Sequence, residues 1–106
     1  MKAIFILTFI IFSCNKQGRV LKYEEIKKLF KDRGCTNCHD IKRKLVGPSF
    51  LDIAKAYKNN KKAEEILLKS IKNGSCNKWG LDCMPKQELN PMEAKHMIKW
   101  IINLEE

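Results

Sequence analysis

Cys35-Thr36-Asn37-Cys38-His39 forms a C-x-x-C-H run, and no other segment constrains the fold as strongly. In a chain exported to an oxidising compartment, this pentapeptide attaches a c-type haem. The spacing has a chemical reason. Two thiols on one helical turn each add to one vinyl group of the same porphyrin, and the next residue sets its imidazole under the iron. A guest of that size has to become the centre of the domain. The chain has 106 residues, enough for one small domain, and such domains bury thin cores that gain from a covalent staple. Two other readings use the same residues. A thioredoxin-like dithiol would open the helix of a strand–helix unit, and no strand run precedes Cys35. A structural zinc would take Cys35, Cys38 and His39, with Cys76 or Cys83 as the fourth ligand.

The N-terminus reads as an export signal. Lys2 supplies a positive start, and Ala3 to Phe12 is apolar. The run is short for a bilayer span and long enough for a signal core. Cys14 follows Ser13, and residues 15–19 are polar, an order like that of bacterial lipoprotein signals. The expectation is a signal peptide at 1–13, a linker at 14–19 after a lipidated Cys14, and a folded domain at 20–106. Ordinary cleavage nearby and an uncleaved anchor are the alternatives.

Lysine and arginine number 21 against 12 acidic residues, a net charge of +9. Removing residues 1–13 takes away one lysine, Lys2, and +9 becomes +8. Two ionised haem propionates would offset about two of those charges. A basic surface suits acidic partners or anionic lipid. The lysines are scattered and not interleaved with aromatics, so no nucleic-acid module is visible. A solvated lysine-rich surface explains most of the excess.

Four segments have helical periodicity. Val20 to Arg33 carries Tyr23, Ile26, Leu29 and Phe30 on one face, and Gly34 stops it. Ser49 to Lys58 carries Phe50, Ile53, Ala54 and Tyr57, with Ser49 and Asp52 placed as a capping pair. Lys61 to Lys72 carries Ala63, Ile66, Leu67 and Ile71, and ends at Asn73-Gly74. Asn90-Pro91-Met92-Glu93 opens the last helix, whose apolar face runs Met97, Trp100, Ile101 and Leu104. Met92 and Met97 have core periodicity, where methionine is filler. No strand signal stands out. The expected fold is all-α, about four helices wrapped around one covalently attached haem, with loops at 40–48 and 74–89.

The chain resembles the small bacterial class I monohaem cytochromes c, electron carriers, from about Lys22 to Leu104. The resemblance rests on residues 29–39 with the haem motif, Val-Gly-Pro-Ser-Phe at 46–50, Ile-Lys-Asn-Gly-Ser at 71–75, Trp-Gly-Leu-Asp-Cys-Met-Pro at 79–85 and Ile-Lys-Trp-Ile at 98–101. It implies thioethers at Cys35 and Cys38, His39 as proximal iron ligand and Met84 as distal ligand. It also implies that the Pro48 carbonyl accepts the imidazole N–H, with Gly47 packed alongside. Trp79 would donate to a propionate, and Phe30 would meet Trp100 where the first and last helices cross. Read from the residues alone, Met84 could instead be packing, Trp79 an ordinary buried aromatic, and His96 a fallback sixth ligand.

The chain departs from the pattern of these cytochromes at Ser70, at Lys86-Gln87 and at the pair Cys76 and Cys83. Ser70 stands where members often carry an arginine that pairs with a propionate, leaving that carboxylate to Trp79 or a lysine. Lys86 and Gln87 follow Met84-Pro85 where some members have an asparagine. Cys76 and Cys83 bracket the Met84 loop where members usually have neither. Haem takes two cysteines and lipid one, which leaves this pair in an oxidising compartment. A Cys76–Cys83 disulfide is expected, with unpaired thiols, a regulatory pair or a Cys83 thiolate on the iron as alternatives.

The implied function is single-electron transfer between membrane-associated or periplasmic redox partners, lipid-anchored on the periplasmic side of a bacterial membrane. No small-molecule substrate and no enzymatic step are expected. A haem-based ligand-binding or sensor protein with a displaceable Met84 is the alternative.

Overall fold

The computed structural model describes residues 3–6, 8 and 22–106. Cys14 and the expected linker at 14–19 lie outside these residues, as do Val20 and Leu21 at the expected start of the first helix. Four helices carry the domain: α1 (Tyr23–Asp32), α2 (Phe50–Ala56), α3 (Ala63–Asn73) and α4 (Pro91–Ile102). Among the described residues no helix is long and apolar enough to cross a membrane.

Local chemistry sets the helix limits. In α1 the Glu25 carboxylate accepts from the Lys22 backbone N–H at 3.0 Å. Gly34 then takes a left-handed φ of 77°, which ends the helix and starts a short 3-10 turn at Cys35–Asn37. Ser49 is fully buried and its Oγ accepts from Asp52 N at 3.0 Å, so the capping pair reduces to one serine bond. Asn90 accepts from Met92 N at 2.9 Å, with Pro91 at the first helical position of α4. The helices are shorter than the apolar periodicity suggested: α2 stops at Ala56, α3 begins at Ala63, and Leu104 lies beyond the end of α4 while still packing on the core.

The core brings together Ile26 and Phe30 of α1, Phe50 and Ile53 of α2, and Met97 and Ile101 of α4. Phe30 sits between aromatic neighbours, with its ring centroid 4.6 Å from Phe50 and 5.3 Å from Trp100. Such contacts add to area burial, and they fix how α1 crosses α4. The same crossing is clamped outside. The Arg33 guanidinium donates to both Glu93 oxygens, Nε at 3.0 Å and Nη2 at 2.8 Å. Met92 does not share the core role its periodicity suggested: it is 55 % exposed, whereas Met97 is 1 % exposed. In the first turn of α4, Met92 falls on the face turned from the other helices.

A two-stranded antiparallel ladder was not expected. β1 (Ser75–Cys76) pairs with β2 (Cys83–Met84), Ser75 opposite Met84 and Cys76 opposite Cys83. Two residues per strand are too few for an alternating pattern, so the sequence carries no strand signal. Cys76 and Cys83 are joined as a disulfide across the ladder.

Candidate cofactor site

Loop 40–48 follows the thiol motif and folds back on it. Gly47 N donates to Cys38 O at 2.8 Å, and His39 N donates to Cys35 O at 2.9 Å. The Asp40 carboxylate accepts from Arg43 N at 3.0 Å and Lys42 N at 3.1 Å. These backbone bonds hold its acid below the usual carboxylate range. Phe50 N reaches Asp40 O at 2.9 Å, which ties the loop to the start of α2.

This framework fixes the His39 ring on three sides. Nδ1 lies 2.7 Å from Pro48 O. A carbonyl only accepts, so Nδ1 carries a proton and Nε2 is the ring nitrogen that the neutral imidazole would offer to a metal. Phe50 stacks on the imidazole at 5.3 Å with an 18° interplanar angle. Gly47 closes the third side. A Cβ there would come within 2.6 Å of His39 Cε1, so the ring requires glycine at this position.

The distal side is built by the hairpin. Gly74 turns the chain out of α3 with φ +78°, and a Cβ there would meet Met84 O at 2.9 Å. Gln87 N donates to Ile71 O at 2.8 Å, pinning the segment after Met84 to α3. The ladder, this bond and the disulfide hold the Met84 backbone from both directions.

Between the two sides lies a cavity of about 460 Å³. Cys35, Cys38, His39, Pro48, Trp79 and Met84 all line it, together with Cys83. Its remaining wall is mainly apolar, from Phe30, Phe50, Ile53, Leu67, Ile71, Met97, Ile98 and Ile101. Small domains pack without internal voids of this size, and the volume falls in the roughly 300–1,000 Å³ range of small-molecule sites. The donor set fits a haem. Two thiols and an imidazole lie on one wall, a thioether lies on another, and apolar side chains face the space between. Burial pushes the Cys35 thiol above its usual range, as suits a sulfur enclosed by apolar groups. Cys35 and Cys38 are free thiols.

Several residues take places that sequence alone left open. His96 is partly exposed and does not line the cavity. Trp79 is 40 % exposed, at the rim rather than buried. The two candidates for a fourth zinc ligand, Cys76 and Cys83, are bonded to each other. Among the described residues no group of three or more His, Cys, Asp or Glu side chains is arranged to hold a metal ion. Sequence reasoning passed over Arg33 and Lys78 as cavity residues. Arg33 directly precedes Gly34 and the thiol motif, which was a usable signal. Lys78 offered none beyond its place next to Trp79.

Known proteins of similar sequence and fold are cytochromes c. The family model described as cytochrome c matches residues 23–105. Cytochrome c-552 of Hydrogenobacter thermophilus is 41% identical over 78 residues, covering 74% of this chain and 80% of that protein. Cytochrome c-551 of Pseudomonas aeruginosa is 39% identical over 80 residues, covering 76% and 77%. The crystal structure of wild-type Nitrosomonas europaea cytochrome c552 superposes with a TM-score of 0.71 at 35% identity, covering 74% of this chain and 99% of that one. The chain therefore belongs to the cytochrome c family, as a small bacterial class I monohaem electron-transfer protein whose cofactor is one covalently attached haem c.

Proposed function

We propose that this chain is an electron carrier with His39 and Met84 as axial ligands and thioethers at Cys35 and Cys38. One observation carries the reading: these four side chains line a single apolar cavity, with the His39 Nδ1–H committed to Pro48. When bound, the haem iron supplies one-electron ferrous–ferric cycling. His39 presents an unprotonated Nε2 whose direction is set by Pro48, Phe50 and Gly47. Met84 offers a soft thioether, which favours the ferrous state and raises the potential. The apolar wall excludes water and lowers the local dielectric. His39 and Met84 would both be spent on holding the iron, leaving no open position for a substrate, which suits a carrier and not an enzyme.

The partners follow from the rim. Leu45 and Val46 are exposed, 44 % and 54 %, and follow Lys42, Arg43 and Lys44, which are also exposed. An apolar edge beside cations suits redox proteins with acidic docking patches. The leader pattern supports export, with the domain tethered through lipid at Cys14 on the periplasmic side of a bacterial membrane. A sensor role needs a Met84 that leaves readily, and the Cys76–Cys83 staple argues against that.

The test is optical. Purified protein from a host with haem-attachment machinery should show a low-spin spectrum with a ferric thioether-to-iron charge-transfer band. Met84→Ala should lose the band, gain high-spin character and lower the potential. Retention of the band in Met84→Ala would remove Met84 from the iron.

A further inference from the structure

Two cationic side chains line the cavity among the described residues, Arg33 and Lys78. Their situations differ. The Arg33 guanidinium is already spent on Glu93, with two bonds at 3.0 and 2.8 Å. Lys78 has no carboxylate partner among the described residues. Its Nζ donates to Ser70 Oγ at 3.2 Å, and Ser70 Oγ donates in turn to Ile66 O at 3.2 Å. The hydroxyl thus holds a lysine from the hairpin loop against α3, beside the rim indole of Trp79. An uncommitted ammonium at the mouth of an apolar cavity is complementary to a guest with apolar faces and an acidic edge.

We infer that Lys78, steadied by Ser70, is the counter-charge for one haem propionate. This assignment rests on the haem reading of the cavity and adds a binding residue to it. Ser70 is too short to carry the charge itself. Its part is to fix where a flexible lysine places its ammonium, which lowers the entropy lost on pairing. Trp79, the next residue, brings a neutral indole N–H to the same edge. Among the described residues the charged or titratable groups around the cavity are Arg33 just after α1, Cys35, Cys38 and His39 of the thiol motif, Tyr57 just after α2, and Lys78 and Asp82 of the hairpin loop. Helices α3 and α4 present none there.

The experiment reads reduction potential against pH in haem-loaded protein. All variants carry Asp82→Asn, so that the one carboxylate lining the cavity among the described residues does not titrate. A cation within bonding reach lowers an acid's pKa by about 1–3 units, toward the low end at a solvent-exposed rim. Lys78→Gln should therefore move the propionate break in the potential–pH curve up by about one unit. Lys78→Arg should keep the break in place, and Ser70→Ala should shift it part of the way. Lys72→Gln removes an exposed lysine of α3 that does not line the cavity and should leave the break unmoved. An intact thioether–iron band with an unmoved break in Lys78→Gln would overturn the assignment alone. Equal shifts in Lys78→Gln and Lys72→Gln would overturn it too, by showing a diffuse charge effect. A parent lacking covalent haem or the band would overturn the cavity reading and this assignment together.

Discussion

Cutting the hairpin staple gives the most quantitative test of how Met84 is held. Cys76 and Cys83 are separated by 7 positions, so the bond closes a loop of eight residues. Chain-entropy accounting for that length gives about 2.5 kcal/mol of restriction in the open state. The remaining restraints on the segment are the two-residue ladder, the Gln87–Ile71 bond and the Gly74 contact. If the hairpin opens without the helices, the whole of that restriction bears on Met84 release. Loss of methionine ligation at alkaline pH, coupled to one proton, would then move down by up to about 1.8 pH units, at about 1.36 kcal/mol per unit. The perturbation is Cys76→Ser with Cys83→Ser, or mild dithiol treatment of the parent. The assay follows the thioether–iron band during a pH titration, with thiol counting on the unfolded, unreduced protein. The reasoning fails if freshly isolated parent has two titratable thiols at these positions. It also fails if the double variant keeps the parent's alkaline midpoint.

Gly47→Ala should lose about 1–3 kcal/mol of stability from overpacking against His39, read from thermal unfolding, and should disturb the axial spectrum; a neutral outcome would mean that the ring is free to move. The Arg33 bond holds the Glu93 acid below its usual range, so its stabilisation is present above the unfolded glutamate pKa and fades as pH falls through the lowered folded value. Glu93→Gln should therefore lower the melting temperature at neutral pH, with a difference from the parent that shrinks on acidification; a constant difference would refute the linkage. Wild-type protein should partition into detergent, and Cys14→Ala should turn soluble or stall unprocessed; an unmodified mature N-terminus downstream of Cys14, seen by mass spectrometry, would end the lipid assignment.

Local chemistry explains what the sequence made legible. The thiol–imidazole motif, Gly47-Pro48 and Met84-Pro85 are short runs whose spacing is itself the chemistry, and all of them line or frame one cavity. Gly34 marks a helix limit because it admits a left-handed φ, and Pro91 because its ring fixes φ at the first helical position. The parts that stayed hidden are relations across the chain. Arg33 meets Glu93 across 60 residues, and Lys78 meets Ser70 across a turn that reverses direction. No periodicity encodes either contact. The ladder escaped because two-residue strands have no pattern, and Met92 was misplaced because it stands five positions before Met97, off the face that buries Ala94, Met97 and Ile101.

The pairing of Cys76 opposite Cys83 also bears on how the domain matures. Four cysteines in the domain allow three ways of forming two disulfides. Two of those ways join a haem-motif thiol to a hairpin thiol and the third joins Cys35 to Cys38, so each would block porphyrin attachment, and only a lone Cys76–Cys83 bond leaves both haem-motif thiols free. A hairpin is a local structure that forms in about 1–10 μs, far faster than thiol oxidation. Its register sets the two hairpin sulfurs against each other before an oxidant arrives, while Cys35 and Cys38 sit in a different element. The turn thus sorts the thiols by fate, sending one pair to oxidation and keeping the other for the vinyl groups.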